Sequence, residues 1–109
     1  MSTGLVDINT LISSIPGVYG GEPRLARSGL PILQVAAEVR AGRTISEIIE
    51  DHDLDAESGY AGLAFYFANK AAIDAQLDER ASSARALAES MLEQPHDRQR
   101  ATRAKHRPA

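Results

Sequence analysis

The chain has 109 residues with no cysteine, 43% hydrophobic and 25% charged side chains, and a formal net charge of −3. That is one domain's worth of sequence with no disulfide or thiol chemistry, and it fits a reducing cytoplasm. Its apolar content is largely alanine and its only aromatics are Tyr19, Tyr60, Phe65, Tyr66 and Phe67. The core should therefore be thin, in a chain of a size that buries about two-thirds of its unfolded surface. No apolar run approaches the roughly 20 residues of a membrane span. The opening MSTGLVDINTL lacks the basic region and long apolar core of a secretory signal, so a cytoplasmic location without membrane contact is expected.

The charge is segregated. Between Thr44 and Glu93 the acids face only Lys70, Arg80 and Arg85, and beyond Gln94 only Asp97 opposes Arg98, Arg100, Arg103, Lys105 and Arg107. An acidic body with a basic end calls for an anionic surface, which could be nucleic acid, an acidic protein groove or the body itself.

In chain order, Leu5, Val6, Ile8, Leu11 and Ile12 suit a short arm or helix. Ile15 to Gly21 reads as a turn, and Glu22-Pro23-Arg24-Leu25 as extended chain, since a residue before proline avoids the α region. Ser28-Gly29 marks another turn. Pro31 opens a helix whose buried stripe is Ile32, Val35, Ala36 and Val39, with Gly42 just past its end. Thr44-Ile45-Ser46-Glu47 has the form of a capping box, opening a helix that buries Ile45, Ile48 and Ile49. A break at His52 to Asp55 follows, with Asp53 or Asp55 as the next N-cap.

A long helical pattern then runs from Ala56 to Glu93. Its first part is expected to bury Tyr60, Leu63, Ala64 and Phe67. After Asn69 the stripe shifts to Ile73, Leu77, Ala84, Leu87 and Met91 at seam-like spacing, with Arg80 the one misfit. Pro95 is expected to end it, leaving a basic, disordered tail. The organisation is thus a body over 1–69, a helical arm over 70–94 and a tail over 95–109.

The residues 45–51 and 56–68 have the dimensions of a helix-turn-helix, and equally those of any αα-hairpin. The second of these helices opens on Asp55 and Glu57 with no cation before Lys70, a poor start for a recognition helix, because affinity for DNA comes from Lys and Arg. Candidate DNA contacts are instead Arg24, Arg27, Arg40 and Arg43. The cluster Asp51-His52-Asp53 contains metal-ligand types, but one histidine beside a helix break lacks ligand spacing. No serine has a supporting His/Asp pattern, and Gly17 to Gly21 lacks the lysine and strand–helix setting of a phosphate loop. No cofactor and no enzymatic activity are expected.

The spaced residues Pro16, Gly20-Gly21, Pro23-Arg24-Leu25, Ala41-Gly42, Thr44, Glu47-Ile48 and Ala64-Phe65-Tyr66 resemble a bacterial family, domain of unknown function 433, the VapB-like antitoxins. The resemblance covers about residues 12–70. Two departures stand out: the family's Gly-Thr-Arg loop is Ala26-Arg27-Ser28-Gly29 here, and Asp53 stands where the family usually has proline. The residue pattern predicts a mainly α protein with short N-terminal extended segments and a long C-terminal helical arm, and the resemblance implies that its body is a small helix-turn-helix-type domain. It implies an antitoxin that neutralises a PIN-like ribonuclease toxin encoded nearby and represses its own operon by binding operator DNA, as a homodimer. The alternative is a stand-alone helix-turn-helix regulator or adaptor with no toxin. Candidate toxin contacts are Ile73, Leu77, Leu87 and Met91 on the arm and Arg98, Arg100 and Arg103 on the tail. An arginine fork pairs bidentately with carboxylates and could enter an acidic metal site.

Overall fold

A computed structural model describes the backbone of residues 4–106 and the side chains of residues 4–92 other than Tyr19. The chain is mainly α, with four α-helices and one short strand pair among the described residues. It divides after Ala75 into two units.

The first unit begins with a 3-10 turn, Ile8–Leu11, capped by Asp7, whose carboxylate accepts from the Asn9 amide. Strand β1 (Ile12–Ser13) pairs antiparallel with β2 (Arg24–Leu25), with Ile12 opposite Leu25 and Ser13 opposite Arg24. The extended reading of this stretch is thereby met over Arg24 and Leu25. Leu11 and Leu25 are both fully buried beneath this pair. The chain then turns tightly through Ala26 to Gly29: the Gly29 amide donates to the Leu25 carbonyl at 2.8 Å, and Gly29 takes a φ of +78°.

Helix α1 (Ile32–Arg40) starts one residue after Pro31, which caps it in an extended conformation. Its end is set by Gly42 at φ +92°. The Gly42 amide donates to Val39 O and the Arg43 amide to Glu38 O, both at 3.0 Å, the paired bonds of a Schellman turn. Helix α2 (Ile45–Asp51) carries the predicted capping box in full: Thr44 Oγ1 accepts from the Glu47 amide at 3.1 Å, and Glu47 Oε1 accepts from the Thr44 amide at 2.9 Å. Of the two candidate caps in the next break, Asp55 is the one used, and its side chain accepts from the Ser58 amide. Asp53 does a different job. It closes α2 in the left-handed region at φ +53°, with the Leu54 amide donating to Ile49 O at 2.9 Å.

The long pattern from Ala56 is not one helix. Helix α3 (Ala56–Ala68) ends at Asn69, whose side-chain amide donates to Phe65 O, and helix α4 (Lys70–His106) begins immediately after. Helix α4 continues past Pro95, where its end was expected.

The burial of α3 also differs from expectation. Tyr60 is 53% and Phe67 56% exposed, Ala64 is exposed and only Leu63 is half-buried. The buried face is Ser58, Gly59, Ala61, Gly62 and Tyr66. Backbone proximity explains the inversion. A Cβ on Gly62 would stand 3.1 Å from Leu25 Cδ2, and one on Gly59 2.4 Å from Ile49 Cγ1. Helices α1 and α2 and strand β2 therefore approach α3 where it is smallest, and the rings of Tyr60 and Phe67 are turned away. Around this seam lie Ile32, Leu33, Val35, Ala36, Ile48, Leu54 and Ile73. Tyr66 anchors the first turn of α4, its hydroxyl donating to Asp74 Oδ1 at 2.7 Å. The Asp74 carboxyl is held low by Lys70 and by that hydroxyl, and burial beside Asp74 pushes the Tyr66 phenol up.

The second unit, from Gln76, consists of the remainder of α4. Leu77 is half-buried there, whereas Leu87, Met91 and Leu92 are 61%, 57% and 71% exposed.

Candidate interaction surfaces

The pair α2–α3, joined through His52 to Asp55, is the helix-turn-helix candidate. Helical geometry of about 100° per residue puts Tyr60, Ala64, Phe67 and Ala68 on the outer side of α3 within an arc of about 100°, and all four are exposed. A recognition helix would turn this side to a DNA groove, yet it carries apolar and aromatic groups with no cation. Beside it, Ile8, Ile12, Ala61, Ala64, Phe65 and Ala68, with Asn9 as the one polar member, line an open, mainly apolar groove between the N-terminal turn and α3.

The four candidate arginines are not grouped on α3. Arg27, at the tip of the Ala26–Gly29 turn, donates to Asp55 at 2.6 Å and to Glu57 at 3.1 Å, offsetting one of the two negative charges at the N-terminus of α3. Those carboxylates raise its pKa, through Glu57 first. Arg24 donates to Gly29 O at 2.9 Å, which braces the same turn. Arg40 lies 3.8 Å from Asp74 Oδ1 and ties α1 to the start of α4. Arg43 bridges Glu38, at 2.6 Å, and Asp51. Each guanidinium thus has an internal acceptor, and together they brace turns and helix junctions.

Glu38 is the most enclosed carboxylate of that network, with its side chain 12% exposed. It accepts from Arg43 at 2.6 Å and Gln34 at 2.8 Å, and its Oε2 lies 2.7 Å from His52 Nε2. Burial pushes its pKa up, but hydrogen bonds from Gln34, His52 and Arg43 outweigh that and hold it below the usual carboxylate range. His52 therefore turns toward α1, and Asp51 turns to Arg43, so the local Asp51-His52-Asp53 sequence does not converge on one point. Among the described residues no group of three or more His, Asp or Glu side chains is arranged to hold a metal.

The candidate toxin contacts fall into three sets. Ile73, 4% exposed, packs into the first unit. Leu77, Leu87 and Met91 lie along the second unit, the last two open to solvent. The side chains of Arg98, Arg100 and Arg103 lie outside the described residues. Sequence reasoning missed the outer face of α3 as a surface because it placed the bulky residues inside. The signal available was the small pair Gly59 and Gly62 at i, i+3, in a helix apolar on every side.

No curated protein and no solved structure matches the chain. The sequence profile described as "Protein of unknown function (DUF433)" matches residues 12–66, which spans the strand pair and helices α1 and α2 and most of α3. Covering half of the chain, that match places the protein in the DUF433 family, while the N-terminal turn and all of α4 lie outside it.

Proposed function

We propose that this protein is an antitoxin, a non-enzymatic inhibitor that binds and neutralises a PIN-like ribonuclease toxin encoded beside it. The observation that carries this reading is the pair of exposed apolar side chains one turn apart on α4, Leu87 and Met91, followed in sequence by Arg98, Arg100 and Arg103. An apolar helix face with an arginine-rich extension suits a partner with a hydrophobic groove leading to clustered carboxylates. The resemblance described above supplies the class of partner. Autoregulation through operator DNA rests on that resemblance alone, because Arg24, Arg27, Arg40 and Arg43 all have internal acceptors and the outer side of α3 has no cation.

The test is co-expression with the neighbouring open reading frame, followed by pull-down and a ribonuclease assay. The wild-type chain should co-purify with the neighbour and suppress its nuclease activity. Changing Leu87 and Met91 to Asp should abolish co-purification, and changing Arg98, Arg100 and Arg103 to Ala should restore nuclease activity. Full inhibition by both variants would overturn the proposal. A gel shift with the upstream DNA at two salt concentrations tests repression, since arginine–phosphate contacts require binding to fall steeply with salt.

A further inference from the structure

The break between α3 and α4 has no cause in the local sequence. Phe65 to Asp74 contains neither glycine nor proline, the usual origins of a sharp helix break, and is rich in alanine. Taken alone, this stretch favours one continuous helix. Asn69 departs from it, at φ −123° and ψ +28°, with helical bonds resuming on either side. Its amide donates to Phe65 O at 3.1 Å, and its carbonyl accepts from the Ile73 amide at 2.9 Å.

What holds the break is tertiary. Tyr66, 1% exposed, donates to Asp74 Oδ1 at 2.7 Å. In an unbroken helix these two residues stand about 12 Å apart along the axis, and the tyrosine leans toward the N-terminus, away from Asp74. The bond therefore forms only across a break. Arg40 of α1 reaches the same residue, 3.8 Å from Asp74 Oδ1 and donating to Asp74 O at 3.4 Å. Ile73, beside it, is packed into the body at 4% exposure. Lys70 also meets Asp74, at 2.7 Å, but as an i, i+4 pair it forms equally well in a straight helix.

We propose that Asn69 is a two-state joint, latched in its broken form by the Tyr66–Asp74–Arg40 contact and straightening into one continuous helix when that latch opens. The dihedral angles of a single residue separate the two states, as at other hinges. Straightening restores backbone hydrogen bonds that helix ends forgo. The broken form keeps Ile73 out of water and the Tyr66 hydroxyl paired with a charged acceptor. The joint lies within the first unit, so it stands whatever binds farther along α4.

Because the chain has no cysteine, nitroxide labels at Ala56→Cys and Ala75→Cys, both exposed positions, report the joint in the full-length protein without background. A continuous helix sets these positions about 28 Å apart. Pulsed dipolar spectroscopy of the labelled chain with no further change should show a single population away from that span. Asp74→Ala should raise the ratio of straight to broken forms at least about tenfold, the effect of losing a hydrogen bond to a charged group, and bring a population to that span. Tyr66→Phe, which removes only the hydroxyl, should shift the distances in the same direction. Asn69→Ala, exposed and outside the core, should do so too, and serves if circular dichroism shows that either latch variant has lost helix. A chain already straight without any latch change overturns the proposal. So does the absence of a straight population in every variant that retains its helix content.

Discussion

Gly59 of α3 faces Ile49 of α2 so closely that a Cβ at position 59 would stand 2.4 Å from Ile49 Cγ1. In an ordinary helix interior, alanine is favoured over glycine by about 1 kcal/mol. Here overpacking opposes that gain and exceeds it. Gly59→Ala is expected to lower stability by about 1–2 kcal/mol net, measured by urea denaturation. Pairing it with Ile49→Ala should recover part of the loss, because the second change removes the atoms in the way. A stabilised Gly59→Ala single variant would contradict the close approach of α2 and α3.

Asp53 ends α2 in the left-handed region at φ +53°, a conformation that costs most L-residues about 1 kcal/mol and glycine almost nothing. Asp53→Gly should therefore raise stability by up to about 1 kcal/mol, with a higher melting temperature and unchanged helix content. Asp53→Ala should not, since alanine keeps the Cβ.

Thr44 provides half of the capping box, accepting from the Glu47 amide. Thr44→Ala should cost about 1 kcal/mol, and Thr44→Gly less. Hydrogen exchange localises the effect: faster exchange should appear at the first turn of α2 before it appears in α1.

Glu38 links α1 to α2 through Arg43 and His52. Its folded-state pKa lies below the unfolded value, so the folded protein binds protons there less readily. Its contribution is therefore complete above the unfolded glutamate pKa of about 4.3, and is lost as pH falls through the lower folded value. Stability should drop below about pH 4, with Asp74, also held low, adding to the fall. Glu38→Gln should be less stable than wild type at pH 7 and should show a shallower acid slope. Equal slopes for the two proteins would mean that Glu38 is not held in this network.

Leu87 and Met91 are exposed on α4. Changing both to Asp should alter the thermal stability of the isolated chain by no more than about 0.5 kcal/mol per site, as exposed positions do, while abolishing capture of the neighbouring protein. Stability lost in parallel with capture would show that the row packs within the chain itself.

What the sequence determined by itself is local. Gly42 closes α1, Thr44 and Glu47 open α2, and Arg24 and Leu25 are extended, because each of these is set by hydrogen bonds and backbone preferences within a few residues, whereas the choice of Asp55 over Asp53 as the cap of α3 was made by the fold. The mainly α architecture follows from those stops and starts. The tertiary structure decided what no local rule could. Helix α3 is apolar all round, so periodicity offered no single inner side, and bulk wrongly suggested Tyr60 and Phe67. The inner side was chosen by where α1, α2 and β2 could come close, which is at Gly59 and Gly62. The arginines were likewise legible as charges but not as partners. Only folding brought Arg27 to Asp55 and Glu57, and Arg40 to Asp74, across separations that a linear pattern does not reveal.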